Sequence, residues 1–139
     1  PTLCFDRARA HARELMKRPP VERGHLGGLP IPIKDLTDVA AVRTTYGSPI
    51  FKDHIPLHSD VLVETLEDEG GIVYAKSNTP EFGAGANTFN EVFGMTRNPW
   101  NTALTCGGST GGGGGAAGGW GLGSSPQPTT PSVARAASV

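Results

Sequence analysis

A long glycine tract is the feature of this sequence that most limits what the chain can fold into. Residues 104–125, "LTCGGSTGGGGGAAGGWGLGSS", hold eleven of the chain's twenty glycines. Because glycine weakens the interiors of helices and strands, the packed core must come from residues 1–106, whose composition is that of an ordinary globular domain. The tract has no lysine, which a P-loop requires, and no acidic residue follows Glu91, which a dinucleotide fold requires. Nucleotide binding is therefore not supported.

The charge balance and the cysteine content exclude several other classes. A net charge of −1 over 139 residues gives no electrostatic reason to expect a nucleic-acid or membrane partner. No apolar run reaches the roughly 18 residues of a transmembrane helix, and the charged start "PTLCFDRARAHAREL" lacks the apolar segment of a signal peptide. We therefore expect a cytoplasmic protein with free thiols at Cys4 and Cys106. No His or Cys spacing indicates a metal site.

Hydrophobic spacing predicts two helices. Residues 5–17, "FDRARAHARELMK", are rich in helix formers, and the proline pair that follows ends this segment. Residues 59–69, "SDVLVETLEDE", give the clearest pattern, with Ser59 or Asp60 as the N-cap and Gly70 just past the end. We expect the buried stripe of this second helix to consist of Val61, Leu62 and Leu66.

Strand signals lie on both sides of the second helix. A short strand is predicted from Ile31 to Leu36, at an edge or irregular because it contains Pro32. Residues 42–51, "VRTTYGSPIF", are β-rich, and a buried strand is predicted from Ile72 to Ala75. Helix, tight Gly-Gly turn and strand in succession indicate an α/β fold. The remainder is loop-rich, and four aromatic side chains are expected to anchor it: Phe82, Phe89, Phe93 and Trp100.

The start of the glycine tract carries a hydroxyl that suits catalysis. In "TCGGST", Ser109 follows two glycines, which allow a sharp bend and the close approach of a substrate. A serine needs a group that takes its proton, and the four histidines, His11, His25, His54 and His58, are all predicted on the surface. Cys106 is an alternative nucleophile, although a free cysteine is more commonly a small buried apolar residue.

Lys34 is the more interesting partner for Ser109. It lies in the apolar stretch "LPIPIKDL", where an ammonium group is costly to bury. A buried lysine loses its proton more readily and serves as a general base. The alternative is that Lys34 and Asp35 merely mark the end of the strand, with the ammonium in solvent. The residues alone do not separate these two interpretations.

Three segments in order resemble the amidase signature family. They are "GHLGGLPIPIKDLTDVAAVRTTYGSPIF", "AKSNTPEFGAGANTFNEVFGMTRNPWN" and "CGGSTGG", and the resemblance runs from about Leu26 to Gly112. It implies an α/β fold with a mixed sheet flanked by helices. It also implies hydrolysis of amides, and often of esters, by a Ser–cis-Ser–Lys triad that needs no metal or organic cofactor.

The resemblance assigns roles to residues around the glycines. Lys34 matches the family's catalytic lysine, and Ser109 matches the serine that bridges it to the nucleophile. The peptide bond before the bridging serine is cis in the family, which here is Gly108–Ser109. Thr110 stands where a second serine is usual, and with Gly107 and Gly108 it is expected to contact substrate.

The chain departs from the family beyond Gly112. The family's nucleophile lies in a glycine-rich turn about two dozen residues after the bridging serine, and here that region reads "SSPQPTTPSVARAASV". Ser132 is nearest in position, although Pro131 before it removes one N–H donor, and Ser124 and Ser125 are alternatives. We therefore expect residues 1–112 to form a truncated amidase-signature-like domain. Residues 113–139 are expected to be a divergent or frame-shifted Gly/Pro/Ser-rich tail, so that only the family's amino-terminal part is present.

Two functions follow from this interpretation. The first is a serine hydrolase of small-molecule amides or activated esters, with Lys34 as general base, Ser109 as bridging serine or nucleophile, and Ser132 as the attacking group. The second is a catalytically inactive truncated fragment that associates with itself as a homo-oligomer, because missing elements would leave strand edges and apolar surface uncovered.

Overall fold

The computed structural model of the protein describes residues 2–112. In that range the chain forms two α-helices, three short 3₁₀ turns, one parallel strand pair and two antiparallel hairpins, which confirms the predicted α/β class. The helices are α1 (Phe5–Met16) and α2 (Val61–Asp68). The strands are β1 (Pro30–Lys34), β2 (Ile72–Ser77), β3 (Phe89–Asn90), β4 (Gly94–Met95), β5 (Arg97–Asn98) and β6 (Asn101–Thr105). Strand β1 pairs with β2, β3 with β4, and β5 with β6.

Both predicted helices are confirmed, and local chemistry fixes the ends of the second. The side chain of Asp60 accepts a hydrogen bond of 3.0 Å from the backbone N–H of Leu62, so Asp60 rather than Ser59 is the N-cap of α2. Gly70 ends the helix with a φ of +84°. A Cβ at Gly70 would lie 1.9 Å from the carbonyl oxygen of Arg23, so this position requires glycine.

The hydrophobic core lies between α2 and the parallel strand pair. It consists of Ile33, Val39, Val42, Val63 and Val73, with Leu66 partly buried beside it. The predicted stripe of α2 is wrong for Val61, which is 74% exposed, and for Leu62, because the helix buries Val63 instead. The reason is that the contacts of α2 are made with β2, and the face that turns towards this strand passes through Val63 and Leu66.

The parallel pair contains an irregularity at the predicted position. Ile31 pairs with Val73, whereas Pro32 pairs with Ala75, so Tyr74 is an extra residue on β2. This confirms the predicted irregularity at Pro32, although the extra residue belongs to the partner strand β2. The strand β1 ends at Lys34, although the backbone N–H of Asp35 still donates to the carbonyl of Ser77 at 2.9 Å.

The prediction of β structure over residues 42–51 is wrong. Val42 makes an isolated bridge with Val39, and the rest of the segment is irregular backbone, one turn and a 3₁₀ helix, Pro49–Phe51. Tyr46 adopts a left-handed backbone conformation, with a φ of 54°. The side chain of Ser48 caps the 3₁₀ helix by accepting from the N–H of Ile50. The β-favouring Thr44 and Thr45 instead use their hydroxyls on buried partners.

The aromatic anchors of the later loops are mostly on the surface. Phe82, Phe89 and Trp100 are exposed, Trp100 by 95%, so the expectation that these side chains anchor the loops by burial is wrong. Phe93 is half-buried with the guanidinium of Arg43 5.2 Å from its ring centre. The reason is that this segment buries polar groups, whose hydrogen bonds hold the loops together. No helix within residues 2–112 is long and apolar enough to cross a membrane.

Candidate active site

The structure brings together the lysine and the serine that the sequence singled out. Lys34 is the last residue of β1, and its Nζ donates a hydrogen bond of 2.6 Å to the Oγ of Ser109, seventy-five positions further along the chain. Both residues are partly buried. The ammonium therefore does not simply mark the strand end in solvent, which was the alternative left open by the sequence. The contact is short enough for a proton to pass between the two side chains.

The loop that carries Ser109 depends on its glycines. The Gly108–Ser109 peptide bond is cis, as the resemblance implied. Gly107 has a φ of +76°, which a residue with a side chain rarely adopts. A Cβ at Gly108 would lie 2.8 Å from the carbonyl oxygen of Ala86 and 3.0 Å from the hydroxyl of Thr88. Glycine at both positions therefore lets the loop bend and pack at the same time.

Hydrogen bonds hold this loop at both ends. Gly107 offers its carbonyl to the N–H and the hydroxyl of Thr88, at 3.1 and 3.0 Å. Gly111 exchanges two backbone hydrogen bonds with Asn78, of 2.7 and 2.8 Å. Asn78 directly follows β2, the strand that pairs with the lysine strand β1. The positions of Ser109 and Lys34 are thus tied to the same strand end.

The most deeply buried lysine is not Lys34 but Lys76 on β2. Lys76 is 1% exposed, and its Nζ donates to the carbonyl of Thr37 and, at 2.9 Å, to the hydroxyl of Thr44. It also lies 3.9 Å from the Oδ1 of Asp35, in an ion pair whose side chains are both 0% exposed. Burial lowers the pKa of Lys76 to about 8, against the opposing effect of the Asp35 carboxylate.

The carboxyl of Asp35, the partner of Lys76 in this pair, is held firmly next to the end of β1. Asp35 accepts from the N–H of Thr45 at 3.1 and 3.2 Å and from its hydroxyl at 2.5 Å. Burial raises the pKa of Asp35, whereas the Thr45 hydroxyl and Lys76 act to lower it. Lys76 was not among the residues predicted from the sequence. Its signal was a lysine inside the apolar run "GIVYAKS", the same kind of observation that identified Lys34.

The other predicted site residues are placed as follows. Gly107 and Gly108 precede Ser109 directly, and Thr110 is exposed next to it. Ser124, Ser125 and Ser132 lie outside the described residues. The Sγ of Cys106 donates to the carbonyl of Gly107 at 3.3 Å, and none of the hydrogen bonds within residues 2–112 joins a histidine to Cys106 or to Ser109.

No group of side chains in the described part of the chain has the composition of a metal site. His25 is an example of how the histidines are used instead. Its Nδ1 lies 2.5 Å from the carboxylate of Glu69 at the surface, and this hydrogen bond raises the pKa of His25.

Comparison with known proteins gives a consistent result. The family model described as Amidase matches residues 1–124. The chain is 38% identical over 106 residues to a glutamyl-tRNA(Gln) amidotransferase subunit from Sulfurisphaera tokodaii, covering 76% of this chain and 22% of that protein. The chain therefore spans about a fifth of the length of the curated relative that it matches.

Solved structures resemble the same region. The structure of 6-aminohexanoate cyclic dimer hydrolase complexed with substrate aligns with a TM-score of 0.72 and 29% identity, over 84% of this chain and 23% of that one. Fatty acid amide hydrolase aligns with a TM-score of 0.72 and 28% identity, over 82% of this chain and 20% of that one. All three similarities concern proteins several times longer than this chain.

Proposed function

The chain belongs to the amidase signature family, and from this premise we propose that it is a serine hydrolase of small-molecule amides or activated esters. The observation that carries the proposal is the hydrogen bond of 2.6 Å between Lys34 Nζ and Ser109 Oγ. Lys34 acts as general base, and Ser109 acts either as the bridging serine or as the nucleophile itself. The names of the aligned hydrolases, one of them an amide hydrolase, support a substrate of this class.

The proposed chemistry moves one proton along this hydrogen bond. Lys34, in its neutral form, accepts the proton of the Ser109 hydroxyl. The serine oxygen then attacks the carbonyl carbon, or takes a proton from an attacking serine such as Ser132. When the bond to the leaving group breaks, Lys34 returns the proton to it through the same path. Water, deprotonated along that path, then attacks the acyl-serine, and the proton returns to the serine oxygen as the acid is released. An alkoxide leaves with less help from an acid than an amine does, so esters should be cleaved faster than amides.

The surroundings of Ser109 fit this role. The glycines at 107 and 108 have no side chains to obstruct a carbonyl group that approaches the hydroxyl, and Thr110 lies exposed beside it. The family membership favours a reaction without a metal or an organic cofactor, and a lysine base with a serine hydroxyl is sufficient for such a reaction. A general base of this kind contributes roughly 10²- to 10⁴-fold to the rate.

Fluorophosphonate labelling followed by peptide mapping tests the proposal on the full chain. If the probe labels Ser109 in the wild-type protein and this labelling is lost in the Lys34→Ala variant, Ser109 is the nucleophile. Labelling at Ser124, Ser125 or Ser132, lost in Ser109→Ala, would identify Ser109 as the bridging serine. Lys52→Ala is the matched control, because the side chain of that lysine is exposed and lies beside Asp53. Folded protein that is not labelled at any serine contradicts the proposal.

The second candidate function, an inactive chain that associates with itself, has one observation in its favour. Several large apolar side chains in the segment of the chain that connects α1 to α2 are exposed, among them Ile50, Ile55 and Leu57. A homo-oligomer would cover such a surface. Sedimentation velocity at micromolar concentration separates the cases: an oligomer that is not labelled supports this candidate, and a monomer that is labelled excludes it.

A further inference from the structure

The end of β2 connects the two halves of the candidate site. In the parallel pair, Ser77 is the register partner of Lys34, and its carbonyl accepts from the N–H of Asp35 at 2.9 Å. The next residue, Asn78, exchanges its two backbone hydrogen bonds with Gly111, two positions after Ser109. Two consecutive residues, Ser77 and Asn78, thus hold β1, which carries Lys34, on one side and the loop that carries Ser109 on the other.

The side chain of Asn78 uses its full hydrogen-bonding capacity. The residue is 2% exposed. Its amide nitrogen donates to the hydroxyl of Thr96 at 2.9 Å and to the carbonyl of Gly94 at 3.2 Å. Its amide oxygen accepts from the side chain of Asn90 at 2.6 Å and from the N–H of Thr79 at 3.0 Å. With both N–H donors and both lone pairs of the one oxygen satisfied, the amide is held in a single orientation.

This network continues to the other end of the serine loop. The N–H of Thr96 donates to the carbonyl of Thr88 at 3.0 Å, and Thr88 binds the carbonyl of Gly107. Both threonines also press against the loop itself. A Cβ at Gly111 would lie 2.4 Å from the methyl carbon of Thr88 and 2.6 Å from the hydroxyl of Thr96. The loop that presents Ser109 is therefore packed against Thr96, a partner of the Asn78 amide, and against Thr88, which a backbone hydrogen bond joins to Thr96.

We propose that Asn78 is a positioning residue that fixes Ser109 within hydrogen-bonding distance of Lys34. The catalytic part of this inference rests on the proposed function, whereas the geometric part does not. Asn78 touches neither Lys34 Nζ nor Ser109 Oγ by side chain, so it acts through the backbone of Gly111 and through Thr96. Displacing a reacting group by about 1 Å costs roughly 10²-fold in rate, so a small relaxation of this network has a large effect.

The substitution Asn78→Asp keeps the shape of the side chain and its acceptors for Asn90 and Thr79. It replaces the donating nitrogen by an oxygen that faces the Gly94 carbonyl and the Thr96 hydroxyl. Thr96→Val is a milder second variant, which removes one acceptor of the Asn78 amide and leaves the residue in place. Thr44→Val is the matched control, because it makes the same change at a buried threonine whose hydroxyl serves Lys76 and the carbonyl of Val42 rather than Asn78.

Two readouts are measured on each full-length variant. The first is the nuclear Overhauser effect between the Hε protons of Lys34 and the Hβ protons of Ser109, which requires no catalysis. The second is the rate of fluorophosphonate labelling. For Asn78→Asp we expect loss of this cross-peak and a rate lowered about 10²-fold; for Thr96→Val, a weaker cross-peak and a roughly tenfold lower rate. Thr44→Val should retain both, at reduced thermal stability.

The outcomes separate this inference from the proposed function. If the wild-type protein shows the cross-peak but is not labelled, the proposed hydrolase activity is contradicted. The positioning role of Asn78 can still be tested by the cross-peak alone. Folded Asn78→Asp protein with an unchanged cross-peak overturns the positioning role. Hydrogen exchange of the wild-type chain provides a measurement that needs no variant: the amide of Gly111 must exchange slowly, and rapid exchange there would overturn the inference as well.

Discussion

The buried lysine of β2 predicts an unusual dependence of stability on pH. In the unfolded chain Lys76 has an ordinary pKa of 10.5, and in the folded protein burial lowers it to about 8. Between these values the unfolded state binds one proton more than the folded state, so the free energy of unfolding rises as pH increases. The difference between the two pKa values corresponds to roughly 3 kcal/mol, all of it lost below about pH 8, where both states are protonated.

The substitution Lys76→Met tests this reasoning, because it removes the titrating group and keeps a long side chain. We expect urea unfolding, followed by circular dichroism from about pH 7 to 10.5, to show a change in the wild-type free energy relative to the variant of roughly 3 kcal/mol. The pH dependence is the readout, since the variant also leaves the Asp35 carboxyl without its cation and so changes the absolute stability. Subtracting the two curves removes the contributions of groups that do not interact with Lys76, such as Tyr46, but not that of Cys4, whose pKa Lys76 lowers.

Lys52→Met is the control for this experiment, because the side chain of Lys52 is 64% exposed. It should follow the wild-type curve over the whole range. Parallel curves for wild type and Lys76→Met would refute the argument, because they would mean that Lys76 keeps an ordinary pKa in the folded protein. A wild-type stability that falls relative to the variant as pH rises would show that the Asp35 carboxylate outweighs the cost of burial.

Two further predictions concern α2 and the surface ion pair. Val63→Ala should lower the free energy of unfolding by roughly 2 kcal/mol, because this side chain is fully buried, whereas Val61→Ala on the same helix should leave it almost unchanged; urea unfolding of the two variants compares them directly. Glu69→Gln should return the pKa of His25 towards its ordinary 6.5 in an NMR titration. Since the folded pKa of His25 is raised, its small stabilising effect is present below about pH 6.5 and disappears as pH rises through the folded pKa; an unchanged titration would mean that the pair does not form in solution.

Local sequence signals predict the helices and the buried strand because their causes are local. Asp60 and Gly70 act within one turn of α2, and the proline pair acts on the end of α1. The segment from Val42 to Phe51 was mispredicted because the hydroxyl of Thr45 binds Asp35, ten positions away, in place of a neighbouring strand. The β-strand propensity of a threonine contains no information about a distant hydrogen-bond partner such as Asp35.

The individual residues of the candidate site could also be predicted from their local sequence, whereas the geometry of their contacts could not. The neighbours of Ser109 indicate a reactive loop, and the setting of Lys34 indicates a costly ammonium group. Their contact spans seventy-five positions; the apolar setting of Lys34 made it the preferred partner for Ser109, and the family resemblance supported that pairing before the structure showed the contact. The Asp35–Lys76 pair was not predicted, because it depends on the register of two strands whose hydrophobic patterns do not determine that register.

The irregularity of β2 explains how two lysines are accommodated in one small sheet. If the pairing of Ile31 with Val73 continued without interruption, Lys34 would lie directly opposite Lys76, on strands about 4.8 Å apart, and like charges in that arrangement are destabilising. The extra residue, Tyr74, shifts the register by one position, so that Lys34 faces Ser77 and Lys76 faces Ile33. Lys76 thereby reaches the buried carboxylate of Asp35, and Lys34 is left to contact Ser109. The carbonyl of Tyr74 accepts from the N–H of Cys4 at 2.9 Å, so the same irregularity also fastens the chain entering α1 to the sheet.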